Sequence, residues 1–138
     1  MKPKTDLENI PLIPAPESAV IYDVLIVEHN PDCRILIETV LRNEGLSVKT
    51  ADTAMAAFGL LNTFHFRLIT TDIRMPIICG FEFLAAVKEA RLKTPVLAIS
   101  ANAFQTDKDA AIKAGFVDYL TKPFAINEMA ARIKKLIV

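Results

Sequence analysis

The sequence predicts an α/β fold: a doubly wound sheet of five parallel strands in the order 2-1-3-4-5, with helices on both faces. Three observations predict it. From Tyr22 onward, short β-branched runs alternate five times with amphipathic stretches of helical period. The central runs are apolar on both faces, as strands covered on both sides are. Five strand–helix repeats in sequence imply parallel pairing with right-handed crossovers.

Residues 1–20 precede the repeats as a tail or linker, leaving 21–138 as the domain. Four of the eight prolines (Pro3, Pro11, Pro14 and Pro16) fall here, and no helical or strand period survives. The alternative is that Ile10, Leu12 and Ile13 dock on the domain or on a neighbour. Strands are expected near Val24–Val27, Ser47–Thr50, Leu68–Thr71, Val96–Ser100 and Asp118–Leu120. Helices are expected near Asp32–Asn43, Ala54–Asn62, Phe81–Ala90, Thr106–Ala114 and Asn127–Ile137. Asn30-Pro31 supplies a cap and a first-turn proline for helix one, and Gly45 lies just past its last turn. In helix two, Met55, Phe58 and Leu61 read as a core stripe. His65 falls in the loop that follows, as a surface residue. Met129, Ile133, Leu136 and Ile137 form one stripe on helix five.

The chain has 138 residues, 52% hydrophobic and 23% charged, enough for one domain with a substantial core. Its formal net charge is zero, so nothing provides an electrostatic grip on nucleic acid or an acidic membrane. No apolar run approaches the ~18 residues that span a bilayer, and the N-terminus lacks a signal-peptide core, so a cytoplasmic location without membrane insertion is expected. Cys33 and Cys79 are too few for a disulfide scaffold or a zinc site. They read as packing or loop thiols, with a redox role as the alternative.

In a 2-1-3-4-5 sheet the switch point lies between strands one and three, and ligands sit beyond the carboxyl ends of those strands. Strand one ends at Glu28-His29 and strand three at Asp72, followed by a loop stiffened by Pro76 and released by Gly80. Ser100 closes strand four, and Lys122-Pro123 follows strand five. A carboxylate, a hydroxyl and an ammonium on one rim suit a transferring phosphoryl group, where catalysis is mostly positioning and charge neutralisation. No Gly-rich phosphate loop is present, which argues against nucleotide binding by that route.

Five pieces, in order, resemble the receiver domain of two-component response regulators, which has a flavodoxin-like fold. They are Val24-Leu25-Ile26-Val27-Glu28, Asp72-Ile73-Arg74-Met75-Pro76 with Gly80, Val96-Leu97-Ala98-Ile99-Ser100-Ala101, Ala114-Gly115, and Asp118-Tyr119-Leu120-Thr121-Lys122-Pro123-Phe124. The resemblance covers about Asp23 to Val138. It implies that Asp72 accepts a phosphoryl group from a sensor histidine kinase or histidine phosphotransfer protein. Ser100 would hydrogen-bond that group, Lys122 would pair with another of its oxygens next to a cis bond to Pro123, and Tyr119 would be the aromatic switch. Helix four, strand five and helix five would present the output surface. On this reading the chain is a signalling domain and not an enzyme, beyond self-catalysed phosphoryl transfer and autodephosphorylation. With no output domain after Val138, it is expected to be a stand-alone receiver or part of a larger protein.

The resemblance also implies Mg²⁺, held by Asp72, the Arg74 carbonyl and two acids after strand one. Here those two positions are Glu28 and His29, and imidazole serves a hard cation poorly. Three readings stay open. Mg²⁺ binds weakly through Glu28, Asp72 and waters; or a cationic His29 replaces part of the metal's charge; or the domain is a pseudo-receiver, a fixed interaction module in which His29 pairs with Asp72 and Glu28. Ile78-Cys79 precede Gly80 where an acid is usual. Arg74 and Asn102 occupy positions that the resemblance links to phosphoryl lifetime, and Arg74 is placed to pair with Asp72 at rest or with a bound anion.

Overall fold

A computed structural model of the protein describes residues 12–137. Strands β1 (Ile21–Val27), β2 (Val48–Ala51), β3 (His65–Asp72), β4 (Val96–Ser100) and β5 (Asp118–Thr121) form one parallel sheet ordered β2-β1-β3-β4-β5. Helices α1 (Pro31–Asn43), α2 (Ala54–Thr63), α3 (Gly80–Glu89), α4 (Gln105–Ala114) and α5 (Ile126–Leu136) connect and cover it. The architecture is the flavodoxin-like one expected.

The two-residue period of a strand sorts β1 between two cores. Leu25 and Val27 pack with Ala57, Phe58, Leu61, Phe83 and Ala111, so α2, α3 and α4 share one face. Val24 and Ile26 pack with Ile37, Leu41, Met129 and Ile133, which puts α1 and α5 on the other. Asn30 caps α1 by accepting a hydrogen bond from the Cys33 amide at 2.9 Å, and Gly45 leaves that helix at φ +84°. Among the described residues no helix is long and apolar enough to cross a membrane.

Three local expectations need correction. β1 and β3 each begin earlier than their apolar runs do, with Ile21 opposite His65 and Tyr22 opposite Phe66. Asp23 and Arg67 interrupt those runs, but they form an ion pair of 3.3 Å across the two strands. His65 therefore opens β3 and does not sit in a loop. On α2 the inward face is Ala54, Ala57, Phe58 and Leu61, so Met55 lies off the stripe and is half exposed.

Residues 12–20 lie as a strap along the amino edge of the sheet. Ala15 is buried and Leu12 packs partly against the α2–α3 core. The Ile13 amide donates to Asn62 Oδ1 at 2.7 Å, and His65 Nε2 stands 2.7 Å from the Pro16 carbonyl oxygen. Ile10 lies outside the described residues.

Candidate functional site

Strand register builds the site. Val27 is opposite Thr71, Asp72 opposite Ile99, and Ser100 opposite Thr121. The next residues, Glu28, Ser100 and Lys122, therefore share the rim that holds Asp72. Glu28 and Ser100 are each 1% exposed and Asp72 is 9% exposed, so charges here interact with little water between them. Lys122, next to the cis bond to Pro123, points its ammonium between the carboxylates, 2.9 Å from Glu28 Oε1 and 3.4 Å from Asp72 Oδ2.

Burial pushes the Glu28 carboxyl above its ordinary range, against the opposing pull of Lys122. Burial works to lower Lys122, but its hydrogen bond to Glu28 and the charge of Asp72 outweigh that and hold the ammonium above its ordinary value. Glu28 is also held by the Asn30 amide, 3.1 Å from Oε2. Burial first, then the Glu28 carboxylate, push the Cys33 thiol up to about 11. It stays protonated near neutrality, which makes it a poor nucleophile.

The loop after β3 closes on itself. The Gly80 amide donates to the Ile73 carbonyl at 2.8 Å, and the backbone passes so close that a Cβ on Gly80 would meet Asp72 O at 2.6 Å and Ile73 Cα at 2.8 Å. Only glycine allows that approach. Met75 and Ile78 turn inward, while Ile77 is 93% exposed at φ +69°, a left-handed conformation that is costly for a β-branched residue.

Asn102 joins several site residues. Its amide donates to Ser100 Oγ at 3.2 Å, its Oδ1 accepts from Arg74 Nη2 at 3.3 Å, and its carbonyl accepts from the Tyr119 hydroxyl at 2.7 Å. The Tyr119 ring is buried. Arg74 contacts Asp72 through its backbone amide, 3.3 Å from Oδ1, while its guanidinium goes to Asn102. The expected resting pair between the Arg74 side chain and Asp72 is thus replaced by a backbone contact.

His29 departs most from expectation. It is exposed, and among the described residues its side chain has no hydrogen bond or ion pair. Lys122, and not His29, pairs with Asp72 and Glu28. Sequence reasoning missed Arg34, whose Nη1 donates to the Glu28 carbonyl at 2.9 Å and to that of His29 at 3.4 Å. The available signal was its place one helical turn after the Asn30 cap, which folds it back over the tip of β1.

The fold and this acid–lysine–hydroxyl rim define a switch-point site in a doubly wound sheet. Residues 24–134 match the family model of the response regulator receiver domain, and the chain belongs to that family. It is 34% identical over 113 residues to the transcriptional regulatory protein TcrA of Mycobacterium tuberculosis, a match covering 82% of this chain and 45% of that one. The chain thus spans about half the length of that regulator. Among solved structures it resembles the receiver domain of the Francisella response regulator 1452, with TM-score 0.80 and 30% identity, covering 84% of this chain and 96% of that one. It also resembles the receiver domain of the sensor histidine kinase PA1611 of Pseudomonas aeruginosa, with TM-score 0.75 and 29% identity, covering 84% and 97%. That neighbour has a magnesium ion coordinated in its active site cleft.

The residues present fit such an ion poorly. Mg²⁺ asks for near-octahedral oxygen ligation. Here the two carboxylates face one ammonium, and the His29 side chain contributes no oxygen. Among the described residues no group of three or more His, Cys, Asp or Glu side chains gathers to hold a metal.

Proposed function

We propose that the domain is a phosphoacceptor receiver in two-component signalling. A phosphohistidine on a sensor histidine kinase or histidine phosphotransfer protein is the donor. Its N–P bond breaks as an O–P bond forms to an Asp72 carboxylate oxygen. The observation that carries this reading is the Lys122 ammonium, held within 3.4 Å of a carboxylate at the tip of the central strand. That ammonium offsets charge on the transferred group, and Ser100 Oγ is a neighbouring hydrogen-bonding group for it.

Signal would leave through Asn102. A Ser100 hydroxyl drawn toward the phosphoryl group disturbs the Asn102 peptide, whose carbonyl holds Tyr119. This biases the ring and the surface made by α4, β5 and α5, where an output partner would bind, as a population shift between two states. Acetyl phosphate treatment, with and without Mg²⁺, tests it by intact mass. The expected result is a gain of one phosphoryl group that Asp72→Ala abolishes. A second reading, a fixed interaction module, is favoured by one observation: Lys122 already satisfies both carboxylates. No mass gain under any condition would select it.

A further inference from the structure

We propose that this pocket balances its carboxylates with the Lys122 ammonium and does not take up Mg²⁺, with Lys122 standing where Glu28 and Asp72 converge. The proposal rests on the receiver reading for the site's identity, but it concerns metal uptake alone.

Two carboxylates are present, Glu28 and Asp72, and one ammonium, that of Lys122, is built against both. Lys122 Nζ lies 2.9 Å from Glu28 and 3.4 Å from Asp72. On the other side, Arg34 Nη1 lies 2.9 Å from the Glu28 carbonyl, so that edge presents positive charge as well. Both oxygens of Glu28 are already occupied, Oε1 by Lys122 and Oε2 by the Asn30 amide. Uptake of a divalent ion would break the shorter of Lys122's two contacts inside a buried site, where charge separation costs most. It would also require ligands that dehydrate a hard cation, and the residue beside Glu28 offers an exposed imidazole instead. The carboxylate missing at His29 and the Lys122 contact to both remaining carboxylates act in the same direction, against a divalent ion.

Amide NMR spectra of the isotope-labelled full chain test this, with Mg²⁺ titrated to about 10 mM, well above a millimolar dissociation constant, and with Mn²⁺ as a paramagnetic probe. The wild-type amides of residues 28–30, 72–74 and 100–102 should neither shift saturably nor broaden selectively. His29→Asp, at an exposed position that tolerates the change, should give saturable shifts at those amides, with affinity raised about tenfold or more. His29→Glu serves as a second variant with the same expectation. The inference is overturned if the wild-type amides shift saturably within the titrated range, whatever the affinity of His29→Asp. It is also overturned if neither carboxylate variant gains binding while both remain folded.

The phosphoryl arm is read separately by intact mass. Phosphorylation of the wild type only when Mg²⁺ is present overturns the inference and leaves Asp72 as acceptor. Absent metal shifts combined with no phosphorylation uphold the inference and remove the acceptor role.

Discussion

Replacing Lys122 with Met removes the ammonium but keeps most of the side chain's volume, so the main loss is electrostatic. Breaking a buried ion pair from one side costs about 3–5 kcal/mol, and Lys122, with its side chain 21% exposed, belongs near the lower end at about 3 kcal/mol. For a domain of this size that corresponds to a drop in Tm of roughly 10 °C. The loss should depend on pH. Glu28 is already held above its ordinary value of 4.5, and Lys122 is the strongest influence pulling it down, so Lys122→Met raises it further. The folded state then binds that proton more tightly than the unfolded chain does. Stability is therefore retained below about 4.5 and lost as pH rises through the folded value. Thermal melts followed by circular dichroism should show a larger deficit at pH 8 than at pH 5. An equal deficit at both, or none at pH 8, would refute the assignment of Lys122 as the counter-charge of Glu28.

Gly80→Ala should destabilise by about 2 kcal/mol or more in urea unfolding, because its Cβ would lie 2.6 Å from the Asp72 carbonyl oxygen with only backbone to move; unchanged stability would mean that the loop yields freely. Ile77→Asn should raise stability by about 1 kcal/mol, since it relieves a left-handed β-branched residue and loses no packing at 93% exposure. A lower Tm in that variant would show that the Ile77 side chain makes a contact of its own. His65→Ala should cost about 1 kcal/mol through its hydrogen bond to Pro16 and speed amide exchange across residues 13–20. Unaltered exchange there would mean that Ala15 and Leu12 hold the strap without it.

Most of the fold is legible in the sequence because its strands are covered on both faces and its helices carry local end signals. Asn30-Pro31 and Gly45 mark the ends of α1 without reference to anything distant. The starts of β1 and β3 were hidden because Asp23 and Arg67 look like breaks until they are seen as partners on adjacent strands. The Tyr22, Phe64 and Phe66 rings, with the Lys49 ammonium 5.0 Å from the Tyr22 ring centre, likewise form a cluster across three strands and a loop. At the site, register alone brings Glu28, Asp72, Ser100 and Lys122 together, so their convergence followed from topology. The direction of His29 did not. Whether a residue just past a strand end turns inward depends on the backbone of the connecting turn and on what already fills the rim, and here Lys122 fills it.

The ring that Gly80 closes on Ile73 sets a rule for anyone rebuilding this region. Its two ends are stitched by a single hydrogen bond and an unusually tight backbone approach, so extra residues cannot be absorbed near either stitch without moving Asp72. The apex at Pro76-Ile77 faces solvent and is bridged by a local hydrogen bond from the Ile78 amide to the Pro76 carbonyl at 2.7 Å, so a fluorophore or a crosslinker carried on the Ile77 side chain leaves both stitches and Asp72 in place.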